Sequence, residues 1–163
     1  MNITKVFEIK ENSGTVTNYT SNEKISNDSL LELDVDILIP AALENAITKA
    51  NADKIKAKVI AEFANGPIDH EADRMLSSHE IIVIPDILCN GGGVIVSYFE
   101  MVQNLNIDHW DADEIYRRLK KRMITAYHEV YQTLMVNNIS RRQAAYTVAV
   151  RNVVETMKVR GWI

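Results

Sequence analysis

The chain has 163 residues, a net charge of −4, and is 47% apolar and 25% charged, the balance of one ordinary folded domain that buries roughly 70% of its unfolded surface. That balance argues against nucleic acid or a membrane surface as the main partner, and nowhere do the roughly 18 apolar residues of a membrane span run together. The lone Cys89 cannot close an internal disulfide, and the four histidines lack ligand spacing, so no metal site is expected and a cytoplasmic location is.

At the N-terminus, "MNITKVFEIK" lacks a cationic region followed by an apolar core, so secretion is not supported. Within it, "KVFEIK" alternates like a strand, while Ile3, Val6 and Phe7 would also share one helix face; both readings stay open. The following "NSGTVTNYTSNEK" reads as loop, and Ser26 can cap a helix over "NDSLLEL". Three apolar runs without polar alternation come next: "VDILIP" (35–40), "KVIAEFA" (58–64) and "IIVIP" (81–85). Strands covered on both faces read this way, which predicts an α/β fold with a parallel sheet. The segments between them, "AALENAITKANADKIKA" and "NGPIDHEADRMLSSHE", have helical composition and crossover length, with Thr48 and Asp69 as candidate caps. Pro40 and Pro85 close their strands.

From Asp111 an Asp-x-x-Glu start leads into Ile115, Leu119, Met123, Ala126 and Val130, the buried stripe of a long helix. The basic run "RRLKKR" within it is the solvated face. Ser140 and Gln143 form a capping box, after which Tyr146, Val150, Val153 and Met157 mark the inward stripe of a second helix that stops at Gly161. Trp162 and Ile163 are expected to tuck against a neighbour.

Ligands of open parallel sheets bind beyond the carboxyl ends of the strands. The loops found there read "PAALEN", "ANGP" and "DILCNGGG". Glycines allow unusual dihedrals and close backbone approach, and Asn45, Asn65 and Asn90 supply amides that both donate and accept. Such a set suits a neutral polar ligand, and the phosphate signatures G-x-G-x-x-G and G-x-x-x-x-G-K-[ST] do not occur.

The words "DVDILIPAALENAIT", "NADKIKAKVIAEFANGP", "IIVIPDILCNGGGVIVSYFEMVQNL" and "AAYTVAVRNVVETMKVRGWI" closely resemble the C-terminal part of glutamate dehydrogenase, of the hexameric bacterial and archaeal kind. The resemblance implies an incomplete Rossmann-like, doubly wound parallel sheet of about three strands, with flanking helices and two long C-terminal helices. Residues 1–110 would be the C-terminal portion of the dinucleotide-binding domain and 111–163 a C-terminal helical pair. It further implies an oxidoreductase that passes hydride between glutamate and NAD or NADP, giving 2-oxoglutarate and ammonia. Asn65 and Asn90 match asparagines near the nicotinamide and its ribose, and Ala41 and Ala42 match the loop passing along the cofactor. Val94 and Ser97 match positions lining the substrate pocket, where the serine hydroxyl donates to the side-chain carboxylate of glutamate.

The family's glycine-rich dinucleotide turn, catalytic lysines and catalytic aspartate match nothing in this chain, so no catalytic residue is assigned and the isolated chain is expected to be inactive. Phe63 stands where the family has glycine, and Cys89 and Gly91 where it has alanine; Cys89 reads as packing, with no activating histidine near it. A part-sheet leaves an open edge and an uncovered apolar face, so the expected partner is a further copy, as a homo-oligomer, or an N-terminal glutamate dehydrogenase half. The alternative is a non-catalytic assembly or binding module derived from the same domain.

Overall fold

The computed structural model describes residues 2–19 and 24–163. The N-terminal segment is a helix, α1 (Ile3–Ser13), started by the Asn2 side chain, which accepts from the Lys5 amide, and stopped by Gly14 in the left-handed region at φ 75°. The loop that follows includes a single 3-10 turn, Val16–Asn18, and residues 20–23 lie outside the described residues. Ser26 caps the short α2 (Asn27–Leu31), as its position suggests.

Three short strands, β1 (Ile37–Leu38), β2 (Val59–Ala61) and β3 (Ile82–Ile84), form a parallel sheet in the order β1-β2-β3. Leu38, Ile60 and Val83 stand in register and point into the main core, which also holds Leu31, Ile47, Ile55, Ile68, Ala72 and Leu76. Burying side chains of this size stabilises by about 1.5–3 kcal/mol each. The crossover to β3 is the helix α3 (His70–Ser78), whose Asp69 cap accepts from Ala72 N–H at 2.7 Å.

Between β1 and β2 the expected crossover helix does not form; only a 3-10 turn, Ala52–Lys54, is present. The side chains compete with the helix there. Asn51 accepts from Thr48 N–H and donates to the Ala46 carbonyl, while the Thr48 hydroxyl accepts from Ala50 N–H, so Thr48 closes a turn rather than capping a helix. Asn45, at φ 51°, turns the chain just before.

Beyond β3 come the one-turn α4 (Asp86–Cys89), α5 (Gly92–Asn106), α6 (Ala112–Asn137) and α7 (Arg141–Val159). Asp111 starts α6 by accepting from Glu114 N–H, and its stripe from Ile115 to Val130 turns inward as expected. The basic run is not merely solvated: Arg117 and Arg118 both bind Glu114, Arg118 lies 4.0 Å over the Trp110 ring, and Arg122 covers Tyr98 and Phe99. The Ser140–Gln143 capping box forms, and α7 closes at Gly161 with paired bonds from Gly161 N–H to the Lys158 carbonyl and from Trp162 N–H to Met157.

The inward face of α7 is not the expected one. Ala144, Ala145 and Val148 are buried with Val130 of α6, whereas Tyr146, Val150 and Val153 are exposed. Small residues let the two helices approach closely, and the larger stripe is left outside. Trp162 and Ile163 are exposed as well. The second sheet face is covered by α6 and α7 only toward β3, so Ile37 at the β1 edge stays open.

Candidate functional site

Parallel strands deliver three carboxyl ends to one side of the sheet, and the pairing continues past them. The Pro40 carbonyl accepts from the amides of Phe63 and Ala64, and the Ile84 carbonyl accepts from Glu62 N–H. Asn45 N–H donates to the Gly66 carbonyl at 2.9 Å, tying the first loop to the second. Gly66 sits at φ 56°, a conformation that costs an L side chain roughly 1–2 kcal/mol, which explains a glycine directly after Asn65.

Here Asn90 meets Asn65. The Asn90 Nδ2 donates to Asn65 Oδ1 at 2.7 Å and lies 3.5 Å from the Ala64 carbonyl. With that acceptor engaged, the Asn65 amide nitrogen still donates and Asn90 Oδ1 still accepts. One remaining donor and one remaining acceptor on the joined pair are the kinds of group that a carboxamide can bond.

Of the six residues expected to form the site, side-chain hydrogen bonds join only Asn65 and Asn90 among the described residues. Ala41 and Ala42 are exposed at the tip of β1, where they border a groove of about 330 Å³ closed by Leu30 and Leu31 of α2. Val94 and Ser97 lie three residues apart on α5, hence on one face, and both are exposed. Asn45 does not share in the amide pair; its role is the left-handed turn. The three glycines 91–93 also differ from expectation, since none has a positive φ. They start α5, and a side chain at Gly93 would meet open space, leaving the backbone there accessible.

Behind the pair lies a charged cluster that sequence reasoning missed. Glu62 is 0% exposed. Its carboxylate accepts from Arg142 Nη2 at 2.7 Å and Nη1 at 3.0 Å, and Arg142 also donates to Asp73 at 3.0 and 3.1 Å and approaches Asp86 at 3.5 Å. Burial works against the charge on Arg142, but the hydrogen bonds to Glu62 and Asp73 outweigh it and raise the guanidinium pKa above its ordinary value. The available signal was a glutamate inside the apolar run "KVIAEFA": a carboxylate in a covered strand requires a cation.

Burial, followed by the negative charge of Glu62, pushes the Cys89 thiol up, which matches a packing role and not a nucleophile. Among the described residues no three His, Cys, Asp or Glu side chains are placed so that they could hold a metal ion, and no helix is long and apolar enough to cross a membrane.

The chain is 48% identical over 159 residues to glutamate dehydrogenase of Thermotoga maritima, covering 98% of this chain and 38% of that protein. It is 43% identical over 163 residues to a cryptic catabolic NAD-specific glutamate dehydrogenase of Bacillus subtilis, again covering 38% of it. In structure it resembles hetero-hexameric glutamate dehydrogenase from Thermus thermophilus in a leucine-bound form, with a TM-score of 0.89 at 26% identity over 98% of this chain and 38% of that one. The chain thus spans well under half the length of these relatives. Residues 1–161 match the model of the Glutamate/Leucine/Phenylalanine/Valine dehydrogenase family, and the chain belongs to that family.

Proposed function

We propose that these residues form the nicotinamide-side part of a glutamate dehydrogenase, with 1–110 as the C-terminal portion of its dinucleotide-binding domain and 111–163 as a helical pair. The observation that carries this reading is the 2.7 Å bond between Asn90 and Asn65 at the tips of β3 and β2. Asn65 and Asn90 hold the carboxamide and ribose side of NAD or NADP, and Ala41 and Ala42 pass along the cofactor. Val94 and Ser97 line the glutamate pocket, with the Ser97 hydroxyl donating to the substrate's side-chain carboxylate. When bound, the nicotinamide accepts hydride in the conversion of glutamate to 2-oxoglutarate and ammonia.

Hydride transfer needs donor and acceptor held in near-attack geometry, worth about 7–11 kcal/mol of the barrier. These residues hold part of that site, and the remainder must come from the rest of the fold that the longer relatives carry. Mixing this chain with a glutamate dehydrogenase N-terminal half is expected to produce glutamate-dependent reduction of NAD or NADP that neither half gives alone. Absence of activity from a mixture that demonstrably associates would overturn the reading.

One observation favours a second reading, a non-catalytic assembly module. Phe63 is 53% exposed two residues before Asn65, where it can take part in a protein contact. Association of the two halves without nucleotide binding supports that alternative.

A further inference from the structure

We infer that Arg142, on the C-terminal helix α7, is a positioning residue for the Asn65–Asn90 pair, acting through Glu62 and Asp86; its functional meaning rests on that pair contacting nicotinamide. Two hydrogen bonds from Arg142 fix the buried Glu62 carboxylate. Glu62 Oε2 in turn accepts from Asp86 N–H at 2.7 Å. Asp86 is where the path divides. Its Oδ2 accepts from Gly66 N–H at 2.9 Å, holding the backbone directly after Asn65, and its carbonyl accepts from Asn90 N–H at 2.9 Å, closing the turn of α4 that ends at Asn90. Both asparagines therefore hang from one aspartate, and that aspartate is held by the Arg142 cluster.

Charge makes the linkage sensitive. Glu62, Asp73 and Asp86 converge on a single guanidinium, and without it three carboxylates repel at close range in a poorly hydrated place. The nearest relief is outward movement of Asp86, which drags Gly66 and the start of α4 with it. A displacement of about 0.5 Å is enough to degrade a binding constellation. Arg142 touches neither asparagine, so a residue that only anchored α7 would leave their geometry alone.

The test is the amide spectrum of the whole ¹⁵N-labelled chain in the wild type, Arg142→Lys and Asp86→Ala. The lysine keeps a positive charge but cannot bridge three carboxylates. Asp86→Ala removes the side-chain acceptor of Gly66 N–H and the approach to Arg142, while the backbone bonds from Asp86 to Glu62 and Asn90 and the Arg142 contacts to Glu62 and Asp73 remain. It therefore severs the Asn65 arm, reaches Asn90 through its bond to Asn65, and tests that arm even where Arg142→Lys does not fold. Both variants are expected to move the side-chain NH2 signals of Asn65 and Asn90 by more than a linewidth, while the buried Gln103 amide of α5 stays in place. Unmoved Asn65 and Asn90 signals in Asp86→Ala, or in folded Arg142→Lys, overturn the inference. Failure of the nicotinamide reading shows separately: nicotinamide mononucleotide would then leave the wild-type Asn65 and Asn90 signals unshifted, whatever the two variants do.

Discussion

Arg142 and Glu62 stand 80 residues apart in the chain and meet through hydrogen bonds of 3.0 and 2.7 Å between α7 and the carboxyl end of β2. Glu62 is wholly buried, and the Arg142 side chain is 21% exposed. Removing one partner of such a pair leaves a buried charge without compensation. Arg142→Met is expected to lower unfolding stability by about 3–5 kcal/mol. Glu62→Gln is expected to cost less, because Arg142 keeps Asp73 and Asp86. Urea unfolding at neutral pH checks both, and equal losses would contradict the asymmetry.

Asp69 makes α3 sensitive to acid. Its carboxylate accepts from Ala72 N–H, and that bond, helped by a second from Lys49 N–H, holds its pKa below the ordinary 3.8. A depressed pKa means that the unfolded chain binds the proton more readily. The contribution is complete above pH 3.8 and is lost as pH falls through the lower folded value. Asp69→Asn keeps a capping acceptor but does not titrate. Its stability is expected to fall less than that of the wild type when the pH is taken from 5 down to 3, measured by urea unfolding at each pH in the sense required by linkage. A parallel decline in both proteins would contradict the assignment.

The uncovered sheet edge has its own consequence. Ile37 of β1 and Ile39 just beyond it are exposed, and the outer backbone groups of β1 pair with no strand among the described residues. Open, apolar edges recruit further chain. Multi-angle light scattering is expected to give a mass above that of the monomer, and Ile37→Lys with Ile39→Lys is expected to reduce it. A clean monomer for the unaltered chain would contradict self-association.

The alternating character of each segment was legible where one physical preference dominated. Unbroken apolar runs around Ile37, Ile60 and Val83 announced the three strands, although the sheet face that carries Ile37 is not covered as such runs imply. Ser26, Asp69, Asp111 and Ser140 announced helix starts through their capping oxygens. The first crossover was misleading, since its helical composition is overridden by the hydrogen bonds of Thr48 and Asn51 to nearby backbone. For α7 the periodicity was correct and the direction was not. An apolar stripe at Tyr146, Val150 and Val153 and a small-residue stripe at Ala144, Ala145 and Val148 both satisfy helical spacing, and only the close approach of α6 chooses between them.

The site divides along the same line. Sequence by itself determined that amide side chains lie just past the strand ends, because a loop's residue types and its place after an apolar run are local properties. Only the tertiary structure decided that Asn65 and Asn90 touch, that Asn45 does not join them, and that Arg142 closes the cluster behind them. Those outcomes depend on parallel register and on helix packing across 25 and 80 residues of chain, distances over which no local preference acts.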